Sequence, residues 1–149
     1  MIIFVTGAAG FIGYHLTQRL LDEGKEVIAI DNLNTYYDLN LKKGRLKNLY
    51  NLAEKKDSKF NFYEKNIEDK VSINEIFKKF NPEVVINLAA QAGVRYSLEN
   101  PYSYAYSNLL GFINIYECCK DVGVKHFIYA SSSSVYGENT KLPFKESDS

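Results

Sequence analysis

The chain has 149 residues, 46% of them apolar, with 18 Lys and Arg balanced by 18 Asp and Glu. That length fits one domain, and zero net charge argues against a general nucleic-acid or membrane-surface binder, which needs a basic excess. The longest apolar stretch, Met1 to Gly13, is broken by Thr6 and three glycines and has no basic residue before it, so neither a membrane span nor a signal peptide is expected. Cys118 and Cys119 are adjacent, too strained for an ordinary disulfide and too few for a metal cluster; a reduced cytoplasmic protein without a metal site is the expectation.

Five short runs rich in Val, Ile, Phe and Tyr read as strands: Ile2–Thr6, Glu26–Asp31, Phe60–Lys65, Glu83–Ala89 and His126–Ser131. Helical spacing fills the intervals. Ile12, Leu16 and Leu20 stand four apart, with Gly24 placed to end that helix. Leu39 to Lys56 carries Leu39, Leu46, Leu49 and Ala53 on one stripe. Asp69 to Phe80 follows, stopped by Asn81-Pro82. After Pro101 the stripe is Ala105, Asn108, Leu109, Phe112, Tyr116 and Cys119, ending at Gly123. Strand and helix alternating without hairpin signals predict right-handed crossovers and a parallel, doubly wound Rossmann-type sheet of order 3-2-1-4-5. Residues 1–137 make one α/β unit, and the polar, aperiodic stretch 138–149 reads as a loop leading onward.

Thr6-Gly7-Ala8-Ala9-Gly10-Phe11-Ile12-Gly13 sits where the first strand gives way to the first helix. Glycines there let backbone approach a pyrophosphate, and the helix N-terminus offers unpaired N–H groups. Eighteen residues past Gly13, Asp31 ends the second strand, where a carboxylate can accept both hydroxyls of an adenosine ribose and repel a 2′-phosphate. NAD is therefore the expected cofactor.

With Asp31-Asn32-Leu33-Asn34, Asn87-Leu88-Ala89-Ala90-Gln91-Ala92 and Ser131-Ser132-Ser133-Ser134-Val135-Tyr136-Gly137 added, the chain resembles the sugar-nucleotide epimerases of the extended short-chain dehydrogenase/reductase family. Gln91 to Pro101 and Tyr36-Tyr37-Asp38 look most like the UDP-glucuronate 4-epimerases. The resemblance implies that Phe11 and Ile12 cover the pyrophosphate, that Asp31, Asn32 and Asn34 hold the ribose, and that Ile67 flanks the adenine. Asn66 stands where the family usually has an aspartate beside the base. Leu88, Ala89, Ala90 and Gln91 would line the cofactor trough, with Asn108 reaching it from the fourth helix. Ser132 matches the Ser/Thr that bonds the sugar hydroxyl being oxidised. The implied reaction is inversion at C4 of a UDP-sugar through a 4-keto intermediate, the proton being taken by the tyrosine of a Tyr-x-x-x-Lys pair.

By resemblance that pair comes after Ser149, so the 149 residues alone are expected to be inactive. Tyr136 belongs to the Val-Tyr-Gly turn, with Lys141 one position too far. Tyr116 and Lys120 have the right spacing, but Tyr116 continues a helical stripe and reads as a core residue. His15 and His126 have no partner at ligand spacing and read as structural. The basic run Lys42, Lys43, Arg45 and Lys47 reads as a solvated helix face. Arg95, in the expected loop after strand four, either meets a uronate carboxylate or phosphate of the substrate, or pairs with Glu99. A nucleotide-sugar 4,6-dehydratase is the second enzymatic reading, disfavoured because Ser133 and Ser134 stand where those enzymes carry Asp-Glu. A non-catalytic dinucleotide-binding module is the third. The expected partners are a UDP-sugar and further copies of the chain, because an apolar fifth strand at a sheet edge recruits other strands.

Overall fold

A computed structural model describes residues 1–138 and 140–148. Asn139 and Ser149, both in the expected loop at 138–149, lie outside the described residues. The elements run β1 (Ile2–Thr6), α1 (Phe11–Asp22), β2 (Glu26–Asp31), α2 (Leu39–Lys56), β3 (Phe60–Glu64), α3 (Lys70–Phe80) and β4 (Val84–Asn87). Then come α4 (Val94–Glu99), α5 (Pro101–Tyr104), a π-helical segment (Ala105–Gly111), α6 (Phe112–Val122), β5 (His126–Tyr129) and a 3-10 turn (Ser133–Tyr136). All four strand pairings are parallel and the order is β3-β2-β1-β4-β5, as the crossovers predict.

Side chains alternate across the sheet and build two cores. Ile3, Val5, Val27, Ala29 and Ile86 face Leu21 of α1 and Leu46, Leu49 and Ala53 of α2. Phe4, Ile28, Ile30 and Val85 face Ile73, Ile76 and Phe77 of α3 and Ile115, Cys118 and Cys119 of α6. Burial pushes the Cys119 thiol up to about 12 and raises Cys118 as well, so both are packing groups rather than nucleophiles. The helix ends follow local chemistry. Asp38 caps α2 by accepting from the Asn40 amide, Asp69 caps α3 from Ser72, and Asp57, Asn81 and Gly123 close helices in the left-handed region.

Two helices turn a different face inward than their largest apolar residues indicate. On α1 the buried residues are Gly13, Thr17 and Leu21, while Ile12 is 63% exposed. In the fourth helical stretch Gly111, Asn114, Ile115, Cys118 and Cys119 are buried, while Ala105, Leu109 and Tyr116 are exposed. Tyr116 is therefore not a core residue. The cause is close approach: a Cβ on Gly13 would lie 2.1 Å from the Gly7 carbonyl oxygen, and one on Gly111 would lie 2.5 Å from Ile67 Cδ1. Small residues take the innermost positions, and Phe112 and Tyr116 pack sideways onto Phe127, with Phe112 also against Tyr129. Helix α4, within the expected loop, buries none of its six residues and so has no apolar period to announce it.

Candidate functional site

The carboxyl ends of β1 and β4 are tied together first. Thr6 Oγ1 donates to Asn87 Oδ1 (2.6 Å) and accepts the amides of Leu88 (3.0 Å) and Ala89 (2.9 Å). Gly7, at φ +68°, passes so close to the β4 loop that a Cβ would lie 2.9 Å from the Ala89 nitrogen. The glycine loop therefore lies hard against the segment that the sequence assigns to the trough. The first-turn amides of α1 precede its first intrahelical bond, Tyr14 N–H to Gly10, and remain open to an acceptor.

Asp31 lies at the same end of the sheet and is 8% exposed. Its Oδ2 accepts the Ala9 amide (3.1 Å) and its Oδ1 the Leu33 amide (2.9 Å), leaving lone pairs on both oxygens for further donors. The basic run on α2 does not form a solvated face. Lys43 and Lys47 are exposed, but Lys42 is 3% exposed, donates to Asn34 Oδ1 (2.8 Å) and the Asn34 carbonyl (3.0 Å), and stands 3.8 Å from Asp31 Oδ1. Arg45 Nη1 donates to the Ala9 carbonyl (3.0 Å) and the Tyr37 hydroxyl (3.1 Å). Spacing of i and i+3 puts both cations on one helix edge, and that spacing was the available signal.

One cleft collects Gly7, Gly10, Asp31, Asn32, Asn34, Ile67, Leu88, Ala89, Ala90 and Gln91. Tyr36 and Tyr37, of the motif that carried the resemblance, also line it, as do Lys42, read from the sequence as solvated, and Glu68 and Ser107, which the sequence did not single out. A second cleft continues along the same β4 loop, sharing Leu88 to Gln91, and adds Asn108, Phe112, Ser131, Ser132 and Ser134. Asn108, in the π-helical segment, grips the floor between the two: its Oδ1 accepts the Gln91 amide (2.8 Å) and its Nδ2 donates to the Gln91 carbonyl (2.9 Å). Ser132 caps the 3-10 turn, its Oγ accepting the Ser134 amide (3.2 Å). The Tyr36 and Tyr96 rings lie 5.0 Å apart, tilted by 47°, and the Tyr36 hydroxyl lies against Gly93, so the loops after β2 and β4 meet at the rim.

Several expected residues lie elsewhere. Phe11 and Ile12 stand exposed on the first turn of α1, and Gly13 is buried beneath it. Asn66 lines a separate shallow hollow with Asn32, Glu64, Lys65 and Asp69. Arg95 is on α4, exposed, and makes no ion pair with Glu99. No described tyrosine is prepared as a base at the second cleft. Tyr104 lines it, but desolvation raises its hydroxyl, which donates to the Ala92 (2.9 Å) and Gly93 carbonyls. Burial likewise pushes up Tyr37 in the first cleft, against the lowering effect of Arg45. Tyr116 and Lys120 line neither cleft, and Lys120 is paired with Glu117 at 3.0 Å. Among the described residues there is no group of three or more His, Cys, Asp or Glu placed to hold a metal, and no helix is long and apolar enough to cross a membrane.

A parallel sheet with a glycine turn after β1 and a carboxylate ending β2 defines a Rossmann-type nucleotide-binding fold. The chain belongs to the family described as GDP-mannose 4,6 dehydratase, whose model matches residues 4–149. It is 48% identical over 148 residues to protein CapI of Staphylococcus aureus, covering 99% of this chain and 42% of that one. It is 46% identical to the UDP-glucuronate 4-epimerase of Thermodesulfobacterium geofontis, covering 95% of this chain and 42% of the relative. The crystal structure of Thermus thermophilus UDP-glucose 4-epimerase in complex with NAD superposes with a TM-score of 0.76 at 35% identity, covering 99% of this chain and 43% of that one. The chain thus spans less than half the length of these relatives.

Proposed function

We propose that residues 1–137 form the NAD-binding part of a UDP-sugar 4-epimerase acting on UDP-glucuronate, and that 138–149 lead toward the substrate-binding part. The observation that carries this reading is the convergence of four distant segments on one cleft at the carboxyl end of the sheet: Gly7–Gly10, Asp31–Asn34, Ile67 and Leu88–Gln91. The relatives named as UDP-glucuronate 4-epimerases, and the solved 4-epimerases with NAD, supply the chemistry. The open amides of α1 meet the pyrophosphate, with Phe11 and Ile12 above it. Asp31, held by two amides, takes the ribose hydroxyls together with Asn32 and Asn34. Gln91, fixed by Asn108, shapes the trough toward the second cleft, where Ser132 orients the sugar hydroxyl. Arg95 on the exposed α4 is the residue assigned in this reading to a uronate carboxylate or phosphate of the substrate. NAD, when bound, supplies reversible hydride acceptance at C4.

In isolation these residues bind but do not turn over. A serine cannot accept the hydroxyl proton at neutral pH, and a general base of this kind contributes ~10²–10⁴-fold. Calorimetric titration of the chain with NAD tests the reading directly, with saturable binding expected and absence of binding fatal to it. Incubation with NAD and UDP-glucuronate should yield no UDP-galacturonate by chromatography. Turnover would mean that a base lies within these 149 residues, and Tyr116→Phe would be the next variant. Reading the coding sequence beyond Ser149 should reveal Tyr-x-x-x-Lys.

A further inference from the structure

Four charged residues line the first cleft: Asp31, Lys42, Lys65 and Glu68. Lys42 is the odd one among them. It is buried on α2 while Leu41 beside it is 49% exposed, the reverse of what transfer out of water favours. Lysine is almost never buried without a partner for its charge. Two of its three ammonium protons go to the Asn34 side-chain oxygen (2.8 Å) and carbonyl (3.0 Å), both neutral acceptors. The charge itself is met by Asp31, whose Oδ1 lies 3.8 Å away, too far for a hydrogen bond. Asp31 in turn holds the Ala9 and Leu33 amides, which are also neutral. Each buried charge therefore has the other as its counter-charge. Lys65 does not play that part, because it is exposed and screened by solvent.

We propose that Lys42 is a second determinant of cofactor choice: its ammonium offsets the Asp31 charge, so the ribose end of the cleft repels a 2′-phosphate less than a lone carboxylate there would. This rests on the cofactor reading above. Opposite charges 3.8 Å apart weaken each other's field, and this pair sits where water screens little. No contact between Lys42 and the cofactor is required. Asp31 still separates the two dinucleotides by hydrogen bonding, because a carboxylate accepts from a ribose hydroxyl and donates nothing to a phosphate oxygen. Lys42 limits the part of the discrimination that comes from charge.

The test is calorimetric titration of the 149-residue chain and its Lys42→Gln and Lys42→Met variants with NAD and with NADP. The unmodified chain should prefer NAD yet bind NADP measurably. In Lys42→Gln, whose amide can still donate to Asn34, the preference for NAD should rise roughly 10-fold or more, because the carboxylate then stands alone. Lys42→Met should show the same rise, and either variant suffices if the other does not fold. A merely structural loss, such as a loosened Asn34 loop, weakens both cofactors alike and leaves their ratio where it was. An unchanged or reduced ratio overturns the proposal. So does saturable NAD binding with no detectable NADP binding in the unmodified chain. If the chain binds neither dinucleotide, the cofactor reading fails and this falls with it; if both bind and the ratio ignores Lys42, only the role of Lys42 fails.

Discussion

The β1–β2–β3 side of the sheet and the β4–β5 side are built to different degrees of closure. On the first side β2 has the burial of a central strand, Asp31 already holds two backbone amides, and Lys42 spends its hydrogen bonds on Asn34. On the second side three of the four residues of β5 are exposed. There Phe112, Phe127 and Tyr129 lean on one another, and among the described residues the Ser132 hydroxyl bonds Ser134 alone. One half of the site is thus preorganised by folding, which lowers what a ligand must order on arrival. The other half holds its groups in place but leaves them open.

The sharpest way to break that contrast is to add a methyl-sized group to each half. Gly13→Ala forces backbone apart, because the Cβ position is 2.1 Å from the Gly7 carbonyl oxygen; we expect a loss of roughly 3 kcal/mol or more in chemical denaturation. Gly111→Ala meets the Ile67 side chain, Cδ1 and Cγ1 at 2.5 Å, rather than backbone, and should cost less, about 1–2 kcal/mol. Similar losses at both sites would erase the distinction. Asp31→Ala is the next largest. It strips the Ala9 and Leu33 amides of their acceptor and should cost about 2–3 kcal/mol. The same change should narrow the preference for NAD over NADP, because it removes the repelling carboxylate and leaves the Lys42 ammonium beside the ribose end. Titrations that show an unchanged ratio would remove Asp31 from cofactor choice.

On the open side, β5 pairs with β4 alone among the described strands, and Ile128 and Tyr129 are exposed. Light scattering at high concentration should therefore show self-association, reduced by Ile128→Lys. A clean monomer would mean that the edge is better protected than its composition implies. The smallest effect concerns Glu83, which its hydrogen bond and charge pairing with Lys125 hold below the ordinary carboxylate range. A depressed folded value means the contribution is present above the unfolded pKa and is lost as pH falls through the folded one. Glu83→Gln should be slightly destabilising at neutral pH, and the difference should begin to shrink as pH falls past the unfolded value of ~4.3 and vanish below the depressed folded one. A difference that persists there has another cause.

The elements easiest to read from the sequence are those whose local chemistry and burial agree. Residues Ile2–Thr6 and Glu26–Asp31 are near-continuous apolar runs and fold with those bounds, and Leu39–Lys56 is a helix over its expected length. The glycine turn, Asp31 and Leu88–Gln91 were legible as one site because each sits at a strand end, where a parallel sheet gathers its loops. Helix faces were harder. Apolar size points to Ile12, Leu109 and Tyr116, but the tightest helix–sheet contacts exclude large side chains and leave glycine and cysteine inside. Lys42 and Arg45 were misread for a related reason. A charged residue is read as solvated until its partner, Asn34 or Ala9, is seen in three dimensions.

The helical stretch from Pro101 to Val122 is wound as α, then π, then α. A π turn closes its hydrogen bond one residue later than an α turn, so the stretch contains a surplus residue relative to a uniform α-helix over the same path. In hereditary terms, Ala105–Gly111 holds one codon more than a uniform α-helix over that path would need, ahead of the packed Ile115 and Cys118. Loss of one codon from it would rewind the stretch as a uniform α-helix, keeping the flanking turns where they are but turning residues within Ala105–Gly111 by about 100°. Asn108 would then no longer face Gln91. The trough floor therefore depends on the number of residues in Ala105–Gly111 as well as on their identity.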